Sequence, residues 1–180
     1  MTEIEIIAGC KKEKRRHQKA LVDKYAPTLF TVARRYTRDD HTAKDILQEA
    51  LHLIFKNIKK YEPTGSFQGW MRRIVITSSL KYLRDKDFLK NVVEFEPVHS
   101  SSISPEAYLK LDYEEIIHLI KKLPKGAREV FNLYIIDGYD HNEIAALLGI
   151  SATTSRSQLT RARKWLRHQL NHEKKTKLCG

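Results

Sequence analysis

Apolar residues along this chain recur at helical spacing, and no run alternates as a half-buried strand would. Between residues 14 and 37, Ala20, Leu21, Tyr25, Leu29, Val32, Ala33 and Tyr36 share one side of a predicted helix. Pro27 is expected to bend or interrupt it. The next periodic stretch, RDDHTAKDILQEALHLIFKNIKKY, has Asp39 or Asp40 as its cap. Ile46, Leu47, Ala50, Leu51, Ile54 and Ile58 give it a wide apolar face, and Asp45, Gln48, Glu49, His52 and Lys56 a polar one. Pro63 and Gly65 punctuate a turn. A third helix follows in GSFQGWMRRIVITSSLKYLRDK, capped by Ser66, with Phe67, Trp70, Met71, Ile74, Val75 and Leu83 able to pack inward. Arg72, Arg73, Lys81 and Arg84 leave it basic elsewhere.

Periodicity lapses after about residue 88. VVEFEPVHSSSISPE has no helical pattern until Ser104 and Pro105, a helix-start signal. Residues 89–104 therefore read as a linker between a domain at 1–88 and another at 105–180. From Glu94 to Glu115, across the linker and the start of the second domain, the acids are Glu94, Glu96, Glu106, Asp112, Glu114 and Glu115 with Lys110 the only Lys or Arg, so this acidic tether is not expected to lie on a polyanion. In the second domain one helix is stopped by Pro124, and another, AREVFNLYIID, ends at Gly138.

The last stretch, DHNEIAALLGISATTSRSQLTRARKWLR, carries the most information. Asp140 and Glu143 form a capping-box pattern. Gly149 suits the left-handed position after a helix, and Ser151 can cap the next one. On that helix Leu159, Ala162, Leu166 and Leu170 make the inward stripe. Thr154, Ser157, Arg161 and Lys164 lie roughly opposite, with Arg156, Thr160, Arg163 and Arg167 on the flank. Two short helices, a glycine turn and a cationic outer face predict a helix-turn-helix that binds DNA. A charge run alone would more often just solvate a helix. Here caps, turn, stripe and one-sided charge coincide. The fold predicted for the whole chain is all-α, with two small helical domains on a flexible acidic linker, the second a four-helix unit.

Composition supports a polyanionic partner. Over 180 residues the formal net charge is +11. No apolar run is long enough to span a bilayer, so no membrane insertion is expected. The amino-terminal apolar segment precedes its basic one and carries glutamates, unlike a secretory signal. Cys10 and Cys179 make neither a disulfide framework nor a zinc site, and the expected setting is a reduced cytoplasm. The histidines show no ligand spacing, and there is no phosphate-binding glycine loop or nucleophile elbow. No enzyme activity, metal or cofactor is expected.

Two blocks carry a resemblance. DILQEALHLIFKNIKKY with GSFQGWMRRIVITSSLKYLR comes first; LPKGAREVFNLYIIDGYDHNEIAALLGISATTSRSQLTRARKWL follows the linker. In this order they resemble the extracytoplasmic-function group of bacterial sigma factors, over about residues 5–90 and 112–170. The resemblance implies that Asp45, Gln48 and Glu49, with the apolar edge of Leu53, dock on the clamp coiled coil of core RNA polymerase. It matches Phe67, Trp70, Arg73 and Ile74 to a helix facing the melting −10 element, with Trp70 mostly core. Arg156, Ser157, Leu159, Arg161, Ala162 and Arg163 match a helix that enters the major groove of the −35 element. Thr154, Thr160 and Lys164 complete that proposed promoter DNA surface. Arg156 and Arg161 are the expected base readers, while Arg163, Lys164 and Arg167 suit phosphates. Thr77 and Lys81 depart from the family, which usually has asparagine and then an acid or amide, and Thr153 stands where glycine is common. The implied function is an alternative sigma factor, with an anti-sigma protein as a partner left open. A free-standing helix-turn-helix regulator acting as a dimer is the other reading, and it has no need of the Asp45–Glu49 face.

Overall fold

The computed structural model describes residues 1–88 and 113–178, with side chains over 1–85 and 114–170. Every regular element among the described residues is helical. The chain divides into two compact units, Met1–Asn91 and Val92–Gly180. The expected linker and the Ser104–Pro105 helix start lie outside the described residues.

The first unit holds α1 (Glu3–Lys11), α2 (Arg15–Tyr36), α3 (Asp40–Asn57) and α4 (Phe67–Phe88), with a 3₁₀ turn at Ile58–Lys60. Helices α2, α3 and α4 each pack on the other two, and α1 lies against α2. Leu21, Leu29, Val32 and Tyr36 from α2 meet Ile46, Ala50 and Ile54 from α3 and Met71 and Val75 from α4, all at most 2% exposed. Burying such side chains is worth about 1.5–3 kcal/mol each, and this stripe is why three amphipathic helices close on one another. Asp39 caps α3, its carboxylate accepting from the Thr42 amide at 2.7 Å and from the Thr42 hydroxyl at 2.9 Å. Ser66 Oγ accepts from the Gly69 amide at the start of α4.

Three features differ from the reading of the hydrophobic pattern. Helix α2 runs unbroken through Pro27. The proline is exposed, so the carbonyl that loses its amide partner faces water, and the stripe from Leu21 to Tyr36 stays in register. Helix α4 buries Phe67, Met71 and Val75 of the expected set but leaves Trp70, Ile74 and Leu83 half-buried, and it buries Ile76, Ser79 and Leu80 besides, where it packs against α2 and α3. Ser79 is tolerated there by donating to the Val75 carbonyl at 2.8 Å. Finally, α1 was not predicted at all. It starts from a Thr2–Glu5 capping box, and its Glu3 carboxylate accepts from the Tyr25 hydroxyl at 2.5 Å. Burial, and then that acceptor, push the Tyr25 phenol above its ordinary range. Cys10, near the end of α1, is 1% exposed, and burial pushes its thiol up too.

The second unit comprises α5 (Tyr113–Lys122), α6 (Lys125–Phe131), α7 (His141–Leu148) and α8 (Ala152–Leu178). A π-helical turn, Asn132–Ile136, extends α6. Helix α8 is the spine, packed on α5, α6 and α7. Its Leu159, Ala162, Leu166 and Leu170 are at most 4% exposed and meet a core that includes Ile120, Leu123, Val130, Leu133 and Ile144. The inward stripe read from the sequence is the buried one.

Candidate functional site

The turn between α7 and α8 is built by local chemistry. Asp140 accepts from the Asn142 and Glu143 amides at 2.7 and 2.9 Å, and Glu143 accepts from the Asp140 amide at 2.9 Å. Gly149 sits at φ 67° and ψ 36°, a left-handed conformation that costs other L-residues about 1–2 kcal/mol. Ser151 Oγ accepts from the Thr154 amide at 3.0 Å and starts α8. A buried polar contact then fixes one helix on the other: Ser155 Oγ, fully buried, lies 2.8 Å from His141 Nδ1. The His141 ring stacks on Tyr134, with centroids 4.5 Å apart. Sequence reasoning missed this contact, although Ser155 lies four residues before Leu159 on the inward stripe.

Thr154, Arg156, Ser157, Thr160, Arg161, Arg163 and Lys164 are all exposed on α8. They are not equivalent. The Ser157 and Thr160 hydroxyls donate back to the Thr153 and Arg156 carbonyls, each at 3.0 Å, which leaves them as acceptors toward a ligand. Thr154 shares a hydrogen bond with Ser151 at 2.9 Å. The Arg163 guanidinium lies 6.0 Å from the Tyr134 ring centroid, a cation–π contact within the unit. Arg156, Arg161 and Lys164 make no ion pair among the described residues.

On the first unit, Asp45, Gln48 and Glu49 of α3 are exposed, and Leu53 is half-buried at the edge of the stripe formed by Ile46, Ala50 and Ile54. The Asp45 carboxylate lies 3.2 Å from His41 Nδ1. On α4 the expected residues separate by depth. Phe67 is 1% exposed and packs inside the unit, leaving it little surface of its own to offer a ligand. It is enclosed by Tyr25 and Tyr61 and stacked on Trp70 at a centroid distance of 5.6 Å. Trp70 is half-buried, its indole backed by Phe67 and Tyr61, so one part of the ring stays available. Arg73, Thr77 and Lys81 are exposed along the same helix. The Thr77 hydroxyl donates to the Arg73 carbonyl at 2.9 Å.

An apolar pocket of about 350 Å³ opens on the second unit between α5, the π-helical turn and α8. Ile116, Ile120, Ile136, Leu166 and Leu170 line it, beside Ile135, which is 45% exposed. No cluster of metal-ligating side chains occurs among the described residues.

Comparison with known families places both units. Residues 21–88 match the model described as sigma-70 region 2, and residues 113–166 match sigma-70 region 4. The chain belongs to the sigma-70 family, as an extracytoplasmic-function sigma factor. One similar relative is the ECF RNA polymerase sigma factor SigE of Mycolicibacterium smegmatis, 28% identical over 83% of this chain and 60% of the relative. The chain thus spans about three-fifths of that relative's length. SigW of Bacillus subtilis, another ECF sigma factor, is 28% identical over 83% of this chain and 87% of its own. A sigma factor RpoE from Bartonella quintana, solved with the anti-sigma factor NepR, shares the fold with a TM-score of 0.55. That match covers 85% of this chain and 96% of the other, at 22% identity.

The family match spans both surfaces described above. Region 2 takes in the exposed acidic face of α3 and the aromatic corner of α4. Region 4 takes in the helix-turn-helix. In described helices of this family member, none is long and apolar enough to cross a membrane.

Proposed function

We propose that the protein is an alternative sigma factor that joins core RNA polymerase in the cytoplasm and directs it to a promoter. The observation that carries the reading is the sidedness of α3. Asp45, Gln48 and Glu49 are exposed while Ile46, Ala50 and Ile54 are buried, so the acidic face contributes nothing to the unit's own core. A free-standing operator-binding regulator has no use for such a face. The first unit then takes the polymerase contact on α3 and the −10 element on α4. The second sets α8 in the major groove of the −35 element, with Arg156 and Arg161 reading bases and Lys164 holding phosphate. The protein carries out no covalent chemistry of its own.

Trp70 and the acceptor-only Thr77 give α4 a surface that stacks and accepts but reads base edges weakly. Lys81 adds attraction for phosphate without sequence information. The melting element is therefore loosely defined and its opening strongly salt-dependent. An anti-sigma protein is the third partner. The complex solved for the Bartonella relative supports it, as does the open apolar pocket beside Ile135.

The test is association with purified core polymerase. Reversing charge in Asp45→Lys/Glu49→Lys sets like charges against a basic partner surface, which can cost several kcal/mol. The double variant is expected to lose holoenzyme formation while keeping its helical circular dichroism. Undiminished binding at matched salt would refute the polymerase contact and favour the free-standing regulator.

A further inference from the structure

The turn joining α1 to α2 has no role in either surface described so far. Between residues 11 and 19 stand Lys11, Lys12, Lys14, Arg15, Arg16 and Lys19, while the last turn of α3 brings Lys56 and the 3₁₀ segment after it Lys59 and Lys60. Against these nine cations stand Glu13, within the same segments, and Asp23, which pairs with Lys19 at 2.6 Å, so the corner stays strongly electropositive. Lys12, Lys14, Arg15 and Arg16 are all exposed. Stability does not explain them. Arg15 and Arg16 occupy the first turn of α2, where the helix dipole disfavours positive charge, and no acid stands in that turn.

The turn is also firmly held. Lys12 and Lys14 donate their amides to the Gly9 carbonyl and Glu13 donates to that of Cys10, at 2.9–3.2 Å. Glu13 has φ 55°, the only non-glycine residue with positive φ among those described. Its carboxylate accepts from Lys59 at 2.5 Å, and this partner holds it below the usual carboxylate range. Lys11 Nζ donates to the Tyr61 carbonyl at 2.8 Å. Tyr61 in turn packs against Trp70 at 5.1 Å. The basic turn is thus tied through Lys11 and Glu13 to the segment of Lys59 and Tyr61, which packs on the aromatic corner of α4.

We propose that Lys12, Lys14, Arg15 and Arg16 bind the phosphate backbone of the single DNA strand that continues from the melting element on α4. This rests on the sigma reading above. Charge complementarity selects a polyanion, and continuity with Trp70 selects the strand that α4 receives. The contact reads no bases. It holds the opened strand by charge alone.

The full chain is loaded on core polymerase and compared with Lys12→Gln/Lys14→Gln/Arg15→Gln/Arg16→Gln over a salt series. One probe is duplex throughout the upstream element. The other is a fork whose unpaired strand runs on past the melting element. The variant is expected to bind core polymerase and duplex as the parent does. On the fork its salt slope should be shallower by about 2–3, since each single-strand phosphate contact contributes about 0.7. Affinity at low salt should fall at least about tenfold. Arg15→Lys/Arg16→Lys, which keeps the charge, should leave the slope intact. An unchanged slope on the fork overturns the proposal. Equal loss on both probes assigns the turn to duplex, and loss of core binding assigns it to polymerase; either result also overturns it. A parent chain that fails to bind core polymerase overturns the sigma reading and this contact with it.

Discussion

Arg161 and Arg163 stand two residues apart on α8 with the same charge, yet their surroundings give them different work. Arg161 is exposed and makes no ion pair among the described residues, whereas Arg163 sits over the Tyr134 ring. Arg161→Ala is expected to cost about 1–3 kcal/mol of promoter binding and to relax preference at one base pair. Arg163→Ala should instead lower the melting point of the second unit, losing about 0.5–1 kcal/mol of cation–π contact. Titrations on single-base promoter variants, run beside thermal melts, separate the two. The pattern of the sequence placed both arginines on the outer side of the helix, because exposure follows periodicity. It could not show which one is turned back on its own unit, since Tyr134 lies on a different element. Ser155 was hidden for a related reason. Its polar identity masked its place on the inward stripe, and only the His141 partner makes a buried hydroxyl there acceptable. Phe67 packs inward as its spacing predicts, and its size and position at the first turn of α4 make it the filler of the corner.

Elements with a single buried side were the ones legible beforehand. Helix α3 and α8 as far as Leu170 each bury one narrow stripe, whatever number of helices cover it, so a 3.6-residue period describes them. Helix α4 is enclosed from two directions, and its second buried side, with Ile76 and Leu80, fell outside any one stripe. Helix α1 is the extreme case. Ile6 and Cys10 are buried but Ile4 is 79% exposed, so the nine-residue helix has almost no sidedness to detect. What attaches it is shape. A methyl group on Gly9 would stand 2.0 Å from His17 Cγ, far inside contact distance. Gly9→Ala is therefore expected to destabilise the first unit by about 1–3 kcal/mol, the usual cost of overpacking. Adding His17→Ala should return part of that loss. Denaturant titration of the three variants measures both effects, and equal stability of Gly9→Ala and the parent would mean α1 is not docked on His17 in solution.

At the scale of the whole molecule, the division into two helical units was readable because each is made of neighbouring segments joined by short turns. Local punctuation at Pro63, Gly65, Pro124 and Gly149 sufficed to mark most of the joints. The joint at residues 12–14 escaped because Glu13 occupies the left-handed position that glycine usually signals. Placing α1 there has a consequence for chemistry of another kind. Cys10 is sealed on the buried side of that helix with its thiol pushed up, and the thiolate is the form that attacks alkylating reagents. Reaction must then wait for α1 to lift away. In a Cys179→Ser background the rate of alkylation becomes a clock for that opening, slowing about tenfold for each 1.4 kcal/mol that holds the helix down. Gly9→Ala should make the clock run fast, and a ligand that grips the neighbouring lysines and arginines should make it run slow.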